Sequence, residues 1–164
     1  AYYYDAVKWA VEKGITSGTS ATTFSPDASC TRAEMVTFLW RANGSPRAAG
    51  ANPFTDVQAG SYYYDAVLWA VEEGITSGTS ATTFAPNATV TRGQTVTFLH
   101  RANGSPAASG SSPFTDVASG TYYTAAVQWA VAEGVTSGTS ATTFAPDAPC
   151  TRAQIVTFLY RDMA

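Results

Sequence analysis

A threonine followed directly by an arginine stands at three equivalent places in this chain. The segments are Cys30-Thr31-Arg32-Ala33-Glu34, Val90-Thr91-Arg92-Gly93-Gln94 and Cys150-Thr151-Arg152-Ala153-Gln154, each sixty residues from the last. Thr with Glu or Gln three positions later is a capping box, in which each side chain satisfies a backbone N–H at a helix start. That accounts for the threonine and the acid or amide, but not for the arginine. A cation in the first helical turn faces the positive end of the helix dipole, which disfavours it by a few tenths up to about 1 kcal/mol. Something must offset that. A guanidinium beside the free N–H groups of a helix start can clamp a carboxylate or phosphate bidentately. An internal ion pair with Asp5 or Asp65, or with Asp56 or Asp116, would serve as well, and spacing alone leaves the two readings level.

The elements that must position these arginines repeat with them. The segments YYYDAVKWAVEKGITSGTSATTFSP from Tyr2, YYYDAVLWAVEEGITSGTSATTFAP from Tyr62 and YYTAAVQWAVAEGVTSGTSATTFAP from Tyr122 are one supersecondary unit used three times. No such unit can bury its apolar face alone. Each reads as helix, loop, helix. In the first helix Ala6, Val7, Ala10 and Val11 fall at helical spacing and Gly14 stands at a left-handed C-terminal cap. Ser61 and Thr121 are the expected N-caps of the later copies. The Gly, Ser and Thr-rich loop sends Phe24, Phe84 and Phe144 into the core. In the second helix Val36, Phe38 and Leu39 form the apolar face, and Arg-Ala-Asn-Gly-Ser-Pro ends it. Arg41, Arg101 and Arg161 lie in the last turn, where the helix dipole favours cations.

Composition narrows the function. A chain of 164 residues is long enough for one solid core. Charged residues are 13% of it, against about 25% in an average domain, a palette that suits a secreted or surface protein. The net charge of -3 and the lack of a basic stripe argue against nucleic acid. No run of about 18 apolar residues could span a bilayer, so no membrane insertion is expected. No basic-then-apolar leader opens the chain, and a secretion signal would lie upstream of residue 1.

Other side chains have plain structural readings. Cys30, Val90 and Cys150 are equivalent, so cysteine reads as a small buried hydrophobe. A disulfide between residues 30 and 150 would need Cα atoms within roughly 7 Å. The single histidine, His100, is equivalent to Trp40 and Tyr160 and is expected to pack. With no second histidine and no Cys-x-x-Cys, neither a zinc site nor another cofactor is expected. Trp9, Trp69 and Trp129 read as packing residues. Asn43, Asn87 and Asn103 open weak glycosylation sequons. Asp5 and Asp65 recur but give way to Ala125 in the third unit, so the chain holds no catalytic carboxylate pair and is not expected to be an enzyme.

The order PFTDV, YYYDAVLWAVEEGI, GTSATTFAP and TVTRGQTVTFLHR resembles the S-layer homology domain, and the resemblance covers nearly the whole chain three times. It implies an all-α fold in which three helix-loop-helix repeats form a pseudo-threefold trimer around a central helical bundle, monomeric as a chain, with grooves between repeats. It also implies a secreted, non-catalytic module at the bacterial cell wall or S-layer, binding a secondary cell-wall polymer that carries a pyruvate ketal, often on a terminal N-acetylmannosamine. That ketal carries a carboxylate. By position, Arg32, Arg92 and Arg152 would bind it. Gly18, Gly78 and Gly138, with Thr19, Thr79, Thr139 and Ser20, Ser80, Ser140, would offer backbone and hydroxyl donors to the sugar.

Four departures from the family pattern bear on the site, one being that the final acid of the motif is Gln in two copies, Gln94 and Gln154, which spares the cap but changes the local charge. Tyr2, Tyr62 and Tyr122 stand where the family usually has Trp and would stack on a sugar. Thr22, Thr82 and Thr142 replace a second loop glycine. The Phe-Thr-Asp-Val segment, with Asp56 and Asp116 as further site candidates, occurs at 54–57 and 114–117 and not in the first repeat. The expected organisation is repeat 1 over 1–44, a linker over 45–53, repeat 2 over 54–104, a linker over 105–113 and repeat 3 over 114–164, together one compact domain. A structural module for self-association without glycan binding is the alternative.

Overall fold

The computed structural model describes residues 1–108 and 110–164; residue 109, in the expected 105–113 linker, lies outside the described residues. Six helices follow one another: α1 (Tyr4–Glu12), α2 (Arg32–Ala42), α3 (Tyr64–Glu72), α4 (Arg92–Ala102), α5 (Thr124–Ala132) and α6 (Arg152–Met163). Among the described residues there is no named strand, and the fold is all-α as expected.

The capping boxes form at all three second helices. The hydroxyls of Thr31, Thr91 and Thr151 accept from the amides of Glu34, Gln94 and Gln154, whose side chains accept in return from the threonine amides. The first helices end as Gly14 suggests: its φ is +72°, and the amides of Gly14 and Ile15 reach back to Val11 and Ala10, a Schellman motif.

Their starts differ from expectation. The N-caps are Tyr63 and Tyr123, without a side-chain cap bond. Ser61 turns its hydroxyl to the Gln58 carbonyl at 2.6 Å, and Thr121 meets Thr124 Oγ1 at 2.7 Å. A backbone turn from Tyr64 N to Ser61 O already closes that start, which leaves the hydroxyls free for other partners. Val11 also departs from the expected apolar face: it is exposed, while Ala6 and Ala10 are buried.

The repeats assemble by exchange. Each first helix packs on the second helix of the preceding repeat: α3 on α2, α5 on α4, and α1 on α6, which closes the ring, while α2, α4 and α6 meet at the centre. The turns before these central helices lock together around the axis. Val90 N donates to Cys30 O (2.9 Å), Cys150 N to Val90 O (3.0 Å) and Cys30 N to Cys150 O (3.2 Å), a closed triangle of backbone bonds that satisfies groups otherwise orphaned by burial. Cys30 and Cys150 are free, buried thiols, in keeping with the apolar reading. His100 behaves as the aromatic it replaces: its Nε2 sits 2.8 Å from Pro106 O, where Trp40 Nε1 reaches Pro46 O at the same distance.

The first repeat is the open one. In repeats 2 and 3, Phe54 and Phe114 lie 5.7 Å from Phe84 and Phe144, ring to ring, and both loop phenylalanines are fully buried. Phe24 has no such neighbour and is only half-buried, beside an apolar hollow of about 260 Å³ lined by Tyr3, Tyr4, Val7, Lys8 and Pro26.

Candidate functional site

Each Thr-Arg arginine leaves its own helix start and crosses to the loop of another repeat. Arg32 Nε donates to Phe84 O (2.9 Å), Arg92 Nε to Phe144 O (2.8 Å) and Arg152 Nε to Phe24 O (2.8 Å). The guanidinium groups lie between two aromatic rings: Arg32 between Phe84 (4.7 Å) and Phe98 (5.4 Å), Arg92 between Phe144 (4.6 Å) and Phe158 (5.3 Å), Arg152 between Phe24 (4.8 Å) and Phe38 (5.5 Å). Cation–π attraction of about 0.5 to 2 kcal/mol offsets part of the unfavourable helix dipole. The arginines are thus staples between repeats.

None of the aspartates considered as ion-pair partners bonds them. The one ion pair among the described residues joins Arg152 Nη1 to Glu34 Oε2 at 3.3 Å. Arg32 and Arg92 are 5% and 3% exposed and use only Nε on protein acceptors. Burial pulls both guanidinium groups below the usual arginine range; Tyr122 and then Asp56 oppose this at Arg32, and Cys150, Tyr2 and Asp116 at Arg92. A buried cation without a direct counter-charge is costly.

These arginines face clefts that three repeats build jointly. The Arg92 groove, about 360 Å³, takes Tyr2 from repeat 1, Arg92 from repeat 2, and Gly138, Thr139, Gln154 and Arg161 from repeat 3. The Arg152 groove, about 160 Å³, takes Gly18, Glu34 and Arg41 from repeat 1, Tyr62 from repeat 2 and Arg152 from repeat 3. By the same repeat relation Tyr122 lies near Arg32, where it acts on the guanidinium. Tyr2, Tyr62 and Tyr122 are the exposed aromatics of these positions, at 63%, 58% and 55%. Their partial burial against the groove raises the phenols of Tyr2 and Tyr62, helped by Asp27 at the first and Glu34 at the second.

The loop glycines shape the walls. Gly18 has φ +91°, and a Cβ there would stand 2.5 Å from Thr23 O and 2.8 Å from Ser20 O, so only glycine fits. Its amide is occupied by Thr16 Oγ1 (3.0 Å), as Gly78 and Gly138 are by Thr76 and Thr136. The hydroxyls of Thr19, Thr79 and Thr139 and of Ser20, Ser80 and Ser140 bond to Thr23, Thr83 and Thr143 within their own loops while staying exposed. Asp56 and Asp116 hold the loops from behind: the amides of Phe84 and Ala85 donate to Asp56, and those of Phe144 and Ala145 to Asp116, at 2.8 to 2.9 Å. Slight burial pushes the Asp116 carboxyl up, but these amides and the Arg92 charge outweigh it and hold it below the usual range.

Arg41 and Arg161, expected from the sequence as helix-dipole partners, have further partners. Each donates to a carbonyl past the first helix of its own repeat, Arg41 to Ile15 O (3.2 Å) and Arg161 to Val135 O (3.3 Å), and each lines a groove as a second cation. Their fixed spacing of nine residues from the Thr-Arg arginine was the signal that could have found them.

Among the described residues no group of three His, Cys, Asp or Glu could hold a metal ion, and no helix is long and apolar enough to cross a membrane. A closed ring of three helix-loop-helix repeats with buried arginines beside the clefts between them defines a class of repeat module. The chain belongs to the S-layer homology domain family, whose sequence profile matches residues 1–36, 53–96 and 113–156. It is 36% identical over 155 residues to the surface-layer 125 kDa protein of Lysinibacillus sphaericus, covering 92% of this chain and 13% of that protein. It is 34% identical over 120 residues to an endoglucanase of Bacillus sp. (strain KSM-635), covering 73% of this chain and 12% of that enzyme. The chain therefore spans about an eighth of the length of these relatives, and membership of the family places it among cell-surface, S-layer-associated modules.

Proposed function

We propose that the chain is a non-catalytic anchoring module that binds an anionic, pyruvate-ketal-bearing secondary cell-wall polymer in the grooves between its repeats. The observation that carries this reading is the pair of guanidinium groups on Arg32 and Arg92, buried without a carboxylate partner, with their Nη atoms uncommitted to protein acceptors. A ligand carboxylate supplies the missing charge and can be held by two parallel N–H bonds. Tyr2 and Tyr122 give a sugar ring a face to stack on, the glycine loops let it approach, and the exposed Thr and Ser hydroxyls offer exchangeable bonds. Nothing in the arrangement transfers a group, and the relative named as an endoglucanase shares only its matching segment. The chain acts as a monomer, its three repeats doing the work of a trimer, and engagement of more than one groove by one polymer raises apparent affinity through effective concentration.

Isothermal titration with purified secondary cell-wall polymer, before and after mild acid removal of its pyruvate ketals, tests the reading. Binding that vanishes with the ketal is expected. Equal binding to both forms, or to neither, would refute it and leave the arginines as staples only.

A further inference from the structure

The Arg92 groove does not end at Arg161. A second hollow, of about 560 Å³, opens beyond it, and the two share Thr136, Ser137 and Arg161. These three residues form a saddle between two clefts. The far walls are Pro113 and Phe114, from the segment before α5, with Val131 and Gly134 from the end of that helix. The two hollows differ in chemistry. The first collects the cations Arg92 and Arg161 beside the exposed Tyr2, whereas the second adds no charged side chain of its own to Arg161. The saddle is held in place: Arg161 Nη1 donates to Val135 O at 3.3 Å, and Thr136 Oγ1 accepts from Gly138 N at 3.0 Å, while Ser137 stays exposed. The floor at Gly134 is bare, since a Cβ there would meet nothing within 4 Å. A third hollow, of about 320 Å³, also borders Arg161, but Glu133 and Asp162 wall it, and carboxylates disfavour the passage of an anionic polymer.

We infer that the hollow beside Pro113 and Val131 is a second subsite, which takes the uncharged sugar residue next to the ketal-bearing one on the same glycan strand; this rests on the anion-binding reading above. With the carboxylate on Arg92, the rest of the strand has to leave the groove. The way out over Ser137 offers it an apolar wall and no like charge. A pyranose ring has an apolar C–H face and a rim of hydroxyls, the mixture that a mostly apolar cleft with a few placed polar groups selects. The face settles on Val131 and Pro113, and the hydroxyls meet Ser137 and Arg161. Arg161 therefore serves both hollows, and the groove reads the neighbour of the charged residue as well as its charge.

Amide NMR of the whole chain reads the two hollows separately. The probes are the methyl glycoside of pyruvylated N-acetylmannosamine and the pyruvylated di- and trisaccharides from the non-reducing end of the purified polymer. All three should shift the amides of Gly138 and Gln154. Only the longer two should also shift Phe114, Val131 and Gly134, and they should bind this groove on the order of tenfold more tightly. Val131→Gln, at a residue that lines the second hollow and not the first, should abolish that gain and leave the affinity for the monosaccharide unchanged. Should that variant fail to fold, Pro113→Ser, in the segment before the helix, makes the same test. Identical shifts from all three probes, or a gain that survives the substitution, would overturn the second subsite and spare the anion-binding reading. No shift at Gly138 or Gln154 with any probe would overturn both.

Discussion

Replacing Arg92 by alanine removes an unpaired buried cation, and simple desolvation reasoning would have that stabilise the protein. The structure points the other way. Arg92 Nε donates to Phe144 O at 2.8 Å, and a hydrogen bond made by a charged group contributes about 1.5 to 3 kcal/mol. The rings of Phe144 and Phe158 stand 4.6 and 5.3 Å from the guanidinium carbon, worth about 0.5 to 1 kcal/mol each. Against this stands relief of the burial that pulls the guanidinium below the usual range, moderated because the Nη end looks into the groove. The net loss comes to about 2 kcal/mol, and for a chain of this size that is roughly 4 to 8 °C in Tm. Urea denaturation followed by far-UV circular dichroism measures it, with an unchanged m-value showing that the native ring persists. A loss under about 0.5 kcal/mol would mean that the Phe144 carbonyl is indifferent to Arg92, and that the arginine is kept for its ligand alone. A loss of binding in an Arg→Ala variant must therefore be measured where the variant is still folded.

Three further outcomes follow from local contrasts between repeats. Burial raises the thiol of Cys30 to about 12 and that of Cys150 to about 11, from an ordinary 9.0. Their contribution is complete below pH 9 and lost as pH rises towards 11 to 12, by roughly 1.4 kcal/mol per thiol per pH unit; the Cys30→Val, Cys150→Val double variant, which copies Val90, should lose less stability between pH 8 and 10 in denaturant titrations. The amides of Phe24 and Ser25 lack the aspartate that accepts from Phe84 and Ala85, and from Phe144 and Ala145, so hydrogen exchange in this chain should show them at least about tenfold less protected; equal protection would refute the assigned role of Asp56 and Asp116. Thr37 and Thr97 donate to the carbonyls of Ala33 and Gly93 at 2.7 Å, whereas the buried Thr157 hydroxyl has no partner among the described residues; Thr37→Val should cost about 1 kcal/mol and Thr157→Val nothing, measured by thermal unfolding.

What could be read from the sequence was local. The capping boxes at Thr31, Thr91 and Thr151 depend on residues three apart, and Gly14 depends on its own backbone angle, so each is legible without knowing what the helix packs against. The N-caps expected at Ser61 and Thr121 failed because a backbone turn competed for the same start, a contest decided by the chain two residues on. The partners of the arginines could not be read at all. Arg32 and Arg92 reach 52 residues forward, but Arg152 reaches 128 residues back to Phe24, because the ring closes on itself. The pairing of Glu34 with Arg152, 118 residues away, is invisible for the same reason.

The ring also explains why the site needs three copies of a unit that could not fold alone. In the Arg152 groove the arginine, the tyrosine and the glycine loop come from three different repeats, and in the Arg92 groove Tyr2, Arg92 and Gly138 do the same. Each of these clefts exists only because the third repeat has docked against the first. The bond from each arginine to a neighbouring loop carbonyl is one of the contacts that makes the ring, and the rest of the same guanidinium is what the ring presents to the cleft. Assembly and the proposed recognition therefore share an atom group, so a ligand that bridges the Nη atoms of Arg92 to Tyr2 would tighten the closure between repeats as it binds. Binding should for that reason raise the unfolding temperature of the whole ring and not of one repeat, because the groups it joins belong to all three.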